Sequence, residues 1–303
     1  MRVISADQID TALSHRDLIE TLRRTYRSAL IAPAPDTFTI ARPETVPLTM
    51  SAIPSWTDFE RQGHTNRGYI GCRLAIGPEQ PGPASGGGPG SSVYLLFSGA
   101  TAHPIAVLDG VRLTRWSSCA THALAASYLA REDSERLLII GDHPLVVDLV
   151  AAHATVRSLR SILLAGGSPD LEKKLCALEA PNAITVGRTD DIGAAAEGAD
   201  MVLAASVDAL AGAANDLPVG IHIDLLGATG ALPSSVSEEC RLFVGDRTRH
   251  GLGEADEIAA DLRDLAQGHK AGRRFYGQRT LFAAGPATGI ADMATAGHVF
   301  LKS

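Results

Sequence analysis

From about residue 116 onward, short apolar runs alternate with stretches whose apolar residues recur at helical spacing. The runs at 137–140, 161–165, 184–186, 201–205, 221–226 and 242–244 predict strands. Segments 144–153, 170–178, 191–198 and 254–267 predict helices, and 116–130 is an Ala-rich helical stretch. Strands and helices in alternation specify a parallel sheet wound on both faces. No internal repeat is visible.

The first hundred residues have a different texture. After a strand-like segment at 2–4, Ser5 with Gln8 and Ser14 with Asp17 have the spacing of helix N-terminal boxes. Leu18, Leu22, Tyr26 and Ala29 then follow at helical spacing, with Arg23, Arg24 and Arg27 mostly on other faces. Residues 32–90 turn rich in Pro and Gly, and 81–90 reads as a flexible loop. Strands are predicted at 48–53 and 69–76. A hairpin-like pair follows at 92–97 and 104–109, with 98–103 as its turn.

Composition narrows the function classes. Of the 303 residues, 45% are hydrophobic and 20% charged, which is ordinary for a globular chain. Lys and Arg number 27 against 34 Asp and Glu, a net charge of −7, and no basic block occurs. A nucleic-acid partner is therefore not expected. The apolar runs are far shorter than the roughly 20 residues of a membrane span, so no membrane partner is expected. The N-terminus lacks a signal-peptide core, and the four widely separated cysteines match neither a zinc module nor a redox pair. None of the ten histidines has metal-ligand spacing. The expectation is a soluble, cytoplasmic protein without a metal.

The strand at 137–140 runs into Gly141, Asp142, His143, Pro144, Leu145 and Val146. Strand, glycine and helix are the frame in which a dinucleotide diphosphate lies against a helix N-terminus. The glycine fingerprint is absent: His143 and Val146 stand where the second and third glycines belong, and Asp142 brings negative charge near the phosphates. One reading keeps the phosphate, with a protonated His143 as donor. The other keeps the fold and loses the cofactor. Pro144 at the first helical position suits both. At the second strand end, Ser168 suits either NAD or NADP and Asp170 falls slightly late, so the choice between them stays open.

Several segments in order carry a family resemblance: 94–97, 104–110, Leu113 with Thr114, Arg42, 50–52, 71–74, 137–141, 198–202, 220–223 with Gly227, 254–256, and 280–282 near Asp292. Together they resemble the ornithine cyclodeaminase/mu-crystallin family along essentially the whole chain. The resemblance implies a Rossmann-type doubly wound parallel sheet at 116–289. It also implies a discontinuous α+β dimerisation and substrate domain at 1–115 with 290–303. It implies a homodimer, NAD or NADP as cofactor, and hydride transfer at the α-carbon of a small amino or imino acid.

Carried over by position, Arg42 and Met50 belong to substrate binding. Ser118, Gly141, Asp142, His143, Leu145, Val146, Ser168, Ser206 and Gly227 belong to the cofactor site. Arg73 stands in the slot of a catalytic lysine; it can bind a carboxylate, but a guanidinium does not release a proton near neutral pH. Ser117 replaces an arginine, and Arg112 and Arg115 would not face the same way. Thr229 replaces a catalytic aspartate, and its hydroxyl is no general base unaided; a plain loop role suits it equally. His122 is an acid/base candidate, with helix packing as the alternative. His222 reads as a hydrogen-bonded core residue, Cys119 as an inert thiol, and Glu254, Asp256 and Glu257 as acids opening a helix.

These departures gather at the site while the apolar positions are intact. They favour an imine reductase or amino-acid dehydrogenase over a true ornithine cyclodeaminase. The alternative is a catalytically silent relative that binds a nucleotide or small ligand.

Overall fold

The structure, a computed structural model, describes residues 1–43, 46–61, 68–78, 90–180, 182–252, 258–285 and 289–303. In chain order the elements open with β1 (Arg2–Ile4), α1 (Ala6–Ala12), α2 (His15–Arg27), β2 (Leu30–Ile31) and β3 (Asp36–Ile40). Then come β4 (Leu48–Thr57), β5 (Tyr69–Pro78), β6 (Ser91–Ser98), β7 (Pro104–Asp109) and α3 (Gly110–Leu129). The alternating part begins with β8 (Arg136–Ile140), α4 (Val146–His153), β9 (Ser161–Ala165), α5 (Pro169–Cys176), β10 (Thr185–Thr189) and α6 (Ile192–Glu197). It continues with β11 (Met201–Ser206), α7 (Val207–Ala211), β12 (His222–Gly227), α8 (Ser234–Glu239) and β13 (Cys240–Val244). It ends with β14 (Ile258–Asp261), α9 (Leu262–Gln267), β15 (Arg279–Ala283) and α10 (Gly289–Lys302).

Two compact units result: Met1–Ser118 with Ala287–Ser303, and Cys119–Pro286. In the first, the sheet runs β1-β7-β6-β5-β4-β2, with β3 also paired to β4. Ser5 and Gln8 close a capping box on α1, and Ser14 Oγ accepts from the Asp17 amide at the start of α2. Leu18, Leu22 and Tyr26 are buried, as the spacing predicts. The C-terminal α10 is tied to α2 by Thr21 Oγ1 to His298 Nδ1 (3.1 Å) and Lys302 Nζ to Asp17 (2.9 Å).

Antiparallel pairing puts Arg73 opposite Ile53 and Tyr94, and Gly71 opposite Ser55 and Leu96, all on one face. That face lies under α10: a Cβ on Gly289 would come within 2.8 Å of the Pro54 carbonyl and 2.9 Å of Ser55. The opposite face carries Phe38, Met50, Ile76 and Val93, of which Phe38, Ile76 and Val93 are exposed.

The second unit holds an eight-stranded sheet of order β10-β9-β8-β11-β12-β15-β13-β14, parallel throughout. The doubly wound sheet read from the alternation is therefore present. From β8 the chain winds outward through β9 to β10, then returns to β11 on the other side of β8. The strand order reverses between β8 and β11, which is where such sheets bind ligands at their carboxyl ends. One face is an apolar core of Leu138, Ile140, Val202, Ile223 and Leu225 against Ala196, Leu210 and Val236 of α6, α7 and α8. The other face of β12 presents His222 and Asp224, both buried.

Two predicted elements differ. The segment 254–267 is not one helix: its described part is β14 followed by α9, because Asp261 caps α9 in a box with Asp264 and Ile258 pairs with Leu242 at the sheet edge. Glu254, Asp256 and Glu257, read as opening that helix, lie outside the described residues, as does most of the 81–90 loop. Helix α4 starts at Val146 with Leu145 as its cap, so Pro144 is not at the first helical position. The turn is closed earlier, by the Val146 amide on the His143 carbonyl (3.1 Å).

Candidate active site

In the first unit, Arg73 projects from β5 toward the C-terminal helix. Its Nε lies 3.1 Å from Asp292 Oδ2, and its Nη1 donates to Thr114 Oγ1 at 2.7 Å. Ser117 Oγ donates to Asp292 Oδ1 at 2.6 Å, so the carboxylate is held on both oxygens. Asp292 is 1% exposed, and burial pushes its carboxyl above the usual range; Arg73, Ser117 and Thr114 pull it back part of the way. Tyr94 is buried beside this group with its hydroxyl 3.4 Å from Ser55 Oγ, and burial drives the phenol far above its ordinary value. A Cβ on Gly71 would overlap that hydroxyl, so glycine is required there. The arrangement fixes the guanidinium through its Nε and Nη1 sides. Such a group binds a carboxylate and does not shuttle protons.

In the second unit, Gly141 leaves β8 with φ +86°. A Cβ there would lie 3.0 Å from the Ala205 Cβ, and one on Gly227 would lie 2.7 Å from the Ala205 carbonyl. Gly166 and Gly167, with φ +79° and +83°, carry the chain away from β9. The floor at the switch point is thus built of glycine and alanine backbone, the surface a diphosphate needs for close approach. Residues 141–146, 166–168, 206 and 227 fit a dinucleotide in this respect. His143, however, is not arranged as a cationic donor at Nδ1: that atom accepts from the Leu145 amide at 3.3 Å. Asp142 Oδ2 accepts from the Ser168 amide at 3.3 Å, joining the ends of β8 and β9. Ser168 caps α5 through the Leu171 amide, and Ser206 caps α7 through the Ala209 amide.

Beneath the sheet ends, Asp224 is 1% exposed and flanked by two imidazoles. His122 Nδ1 lies 2.5 Å from Oδ1, and His153 Nε2 lies 2.9 Å from Oδ2 while its Nδ1 donates to the Leu149 carbonyl. Burial alone would raise the Asp224 carboxyl, but the two histidines outweigh it and hold it well below the usual carboxylate range. His222 is buried with Nδ1 3.0 Å from Thr280 Oγ1, and desolvation pushes it down to about 3. It is the core residue the strand pattern implied.

The predicted residues thus divide. Arg73 sits with Ser117 in the Asp292 cluster. Met50, two-residue alternation away, lies on the opposite sheet face and faces away from Arg73. Arg42 is exposed and donates through Nε and Nη2 to the Val46 carbonyl. Arg112 is engaged by Asp10 at 2.5 Å, so it does not stand in for the arginine missing at 117. Ser118 is half-buried, Cys119 is buried, and Thr229 is exposed just past β12. His122 is committed to Asp224. Sequence reading missed Asp224, His153 and Tyr94 as partners. For Asp224 a signal existed: an acid inside an otherwise apolar strand needs a buried partner.

Among the described residues no group of His, Cys, Asp and Glu is placed to hold a metal ion, and no helix is long and apolar enough to cross a membrane. Comparison with known proteins agrees with the geometry. The Delta(1)-pyrroline-2-carboxylate reductase of Colwellia psychrerythraea is 28% identical over 330 residues, taking in 100% of this chain and 99% of that one. The Thermococcus litoralis Delta(1)-pyrroline-2-carboxylate reductase, solved with NADH and L-proline, matches with a TM-score of 0.79 at 20% identity, over 100% of this chain and 97% of that one. An archaeal alanine dehydrogenase dimer with bound NAD matches with a TM-score of 0.81 at 17% identity, over 100% and 95%. At those identities the two structures establish the fold. With residues 79–302 matched by the family as a whole, the chain belongs to the ornithine cyclodeaminase/mu-crystallin family.

Proposed function

We propose that this protein is an NAD(P)-dependent oxidoreductase that reduces a small imino acid, with a cyclic imine such as Δ1-pyrroline-2-carboxylate as the leading substrate. The observation that carries the reading is the tethered guanidinium of Arg73 in the slot of an acid/base lysine. It supplies positive charge and a charge-assisted hydrogen-bond donor for a substrate carboxylate. It does not supply a proton. A cyclic imine takes its proton from water before it binds, so its reduction asks only for carboxylate binding, orientation and a hydride. Ornithine cyclodeamination asks in addition for repeated proton transfers, and the exposed Thr229 offers no base for them.

The cofactor, when bound, supplies the hydride. The residues that would hold it are Gly141, Ser168, Ser206 and Gly227, with Leu145 and Val146 lining the loop and Ser118 as a further phosphate ligand. Arg42 and Met50 remain proposals for substrate binding that rest on family position alone. His122 is a positioning residue for β12 rather than an acid. The exposed apolar face carrying Phe38, Ile76 and Val93 supports a homodimer in which a second copy covers it. The cytoplasm is the proposed compartment, on composition.

The test is turnover of a panel: Δ1-pyrroline-2-carboxylate, its six-membered homologue, 2-oxo acids with ammonia, and ornithine, with each coenzyme. Fastest reduction of a cyclic imine supports the proposal. Coenzyme binding without turnover of any of them supports the silent alternative. Sedimentation at twice the chain mass supports the dimer.

A further inference from the structure

We infer that the carboxylate of Asp142 selects NAD(H) over NADP(H), reaching from the first strand of the nucleotide fold to do what a side chain at the end of the second strand ordinarily does. The inference rests on the nucleotide reading above. In doubly wound sheets an acidic group at the carboxyl end of the second strand accepts hydrogen bonds from the adenosine ribose and repels a 2′-phosphate, while an arginine there favours that phosphate. Here the second strand, β9, ends in Ala165 and passes into Gly166 and Gly167, which bring no side chain at all. The place is filled from the neighbouring loop. Asp142 Oδ2 accepts from the Ser168 amide at 3.3 Å, which anchors the carboxylate beside the β9 end. The two loops are in close register: a Cβ on Gly167 would stand 3.8 Å from the Gly141 carbonyl oxygen, and one on Gly166 would stand 3.9 Å from the Gly141 Cα.

The charges around that spot decide the sign. Arg188 is the guanidinium at hand, and it is committed. Its Nη2 donates to the Gly167 carbonyl at 3.0 Å and its Nη1 lies 3.4 Å from Glu172 Oε2. Lys174 is paired with Asp170 at 2.5 Å. Arg188 and Lys174 are each paired with a carboxylate of their own. The Asp142 carboxylate, held by a neutral amide, is left as the net charge at the strand end. A ribose 2′-hydroxyl can donate to it; a 2′-phosphate meets like charge at hydrogen-bond range. The acid that seemed misplaced near the diphosphate is thus used sideways, at the ribose.

Direct titration of the full-length protein with NADH and with NADPH, followed by calorimetry, tests this without any substrate. The wild type should bind NADH at least tenfold more tightly than NADPH. In Asp142→Asn the amide oxygen still accepts from the Ser168 amide, so the loop is retained while the charge is removed. The NADH-to-NADPH affinity ratio should then fall at least fivefold, chiefly through tighter NADPH binding. Equal or tighter binding of NADPH by the wild type overturns the inference and leaves the oxidoreductase reading intact. So does an unchanged ratio in Asp142→Asn. Failure of both coenzymes to bind the wild type overturns the inference together with that reading.

Discussion

Replacing Arg73 by alanine separates substrate binding from coenzyme binding and from folding. A charge-assisted hydrogen bond is worth about 1.5–3 kcal/mol. Loss of one from guanidinium to substrate carboxylate should raise KM for the imino acid roughly 10- to 150-fold, at about 1.4 kcal/mol per decade. Coenzyme affinity should move by less than about twofold, because all of the proposed coenzyme residues except Ser118 lie in the other unit. Stability responds separately. The variant strips the buried Asp292 of its cation, and breaking a buried pair costs about 3–5 kcal/mol when the remaining charge cannot be relieved. Asp292 can relieve it: burial already raises its carboxyl, and without Arg73 the carboxyl takes up a proton. The loss should therefore stay below that range and shrink as pH is lowered. The double variant Arg73→Ala, Asp292→Asn should recover most of the stability and none of the KM. Steady-state kinetics at saturating coenzyme, coenzyme titration and urea unfolding provide the three readouts. A KM within twofold of wild type refutes the carboxylate-binding role.

Other consequences follow from the same structure. Asp224→Asn removes the buried acceptor that His122 and His153 share, and chemical denaturation should report a loss of about 1–3 kcal/mol. Acid should destabilise the protein early. His222 is pushed down to about 3 and Asp224 is also held low, so the unfolded chain binds more protons than the native one as pH falls. The stability these groups confer is complete above an unfolded histidine value of about 6.5 and declines below it, by up to about 1.4 kcal/mol per pH unit from His222 alone. Denaturation midpoints at pH 7.5 and 5.0 measure this, and a higher midpoint at the lower pH contradicts it. Gly141→Ala places a Cβ 3.0 Å from Ala205 at a φ of +86°. It should cost more than about 1 kcal/mol in urea unfolding and weaken both coenzymes in parallel, since the strain and the crowding act at the diphosphate rather than the ribose.

Much of the fold was legible from local pattern. The apolar runs of the parallel sheet, buried on both faces, stand out against the helices between them, and Ser5, Gln8 and Ser14 announced the first two helices through capping chemistry. What was not legible depends on partners distant in sequence. β3 and β15 are strands because of what they pair with; Asp36–Ile40 has every residue exposed and no core alternation to betray it. The segment before α9 is Ala-rich and reads as helix, yet edge pairing with β13 overrides that propensity.

At the site, the strand–glycine–helix frame was evident and the side-chain roles were not. Asp142 looked like an obstruction because the sequence gives no sign that the Ser168 amide would draw it sideways. Arg73 kept its charge in the reading, but its partner Asp292 lies on a helix more than two hundred residues later. Met50 was grouped with Arg42 and Arg73 by family position, and strand parity puts it on the other face from Arg73. The parity of Met50 and Arg73 emerges only when the β4–β5 register is known.

The central claim, that hydride moves from a bound nicotinamide coenzyme to an imino carbon, is tested most directly by isotope transfer. The enzyme is given Δ1-pyrroline-2-carboxylate and reduced coenzyme deuterated at the transferring position, and the product is examined by mass spectrometry. The account predicts proline carrying one deuterium at Cα, formed in step with coenzyme oxidation. Absence of proline, or proline formed without the label, contradicts it.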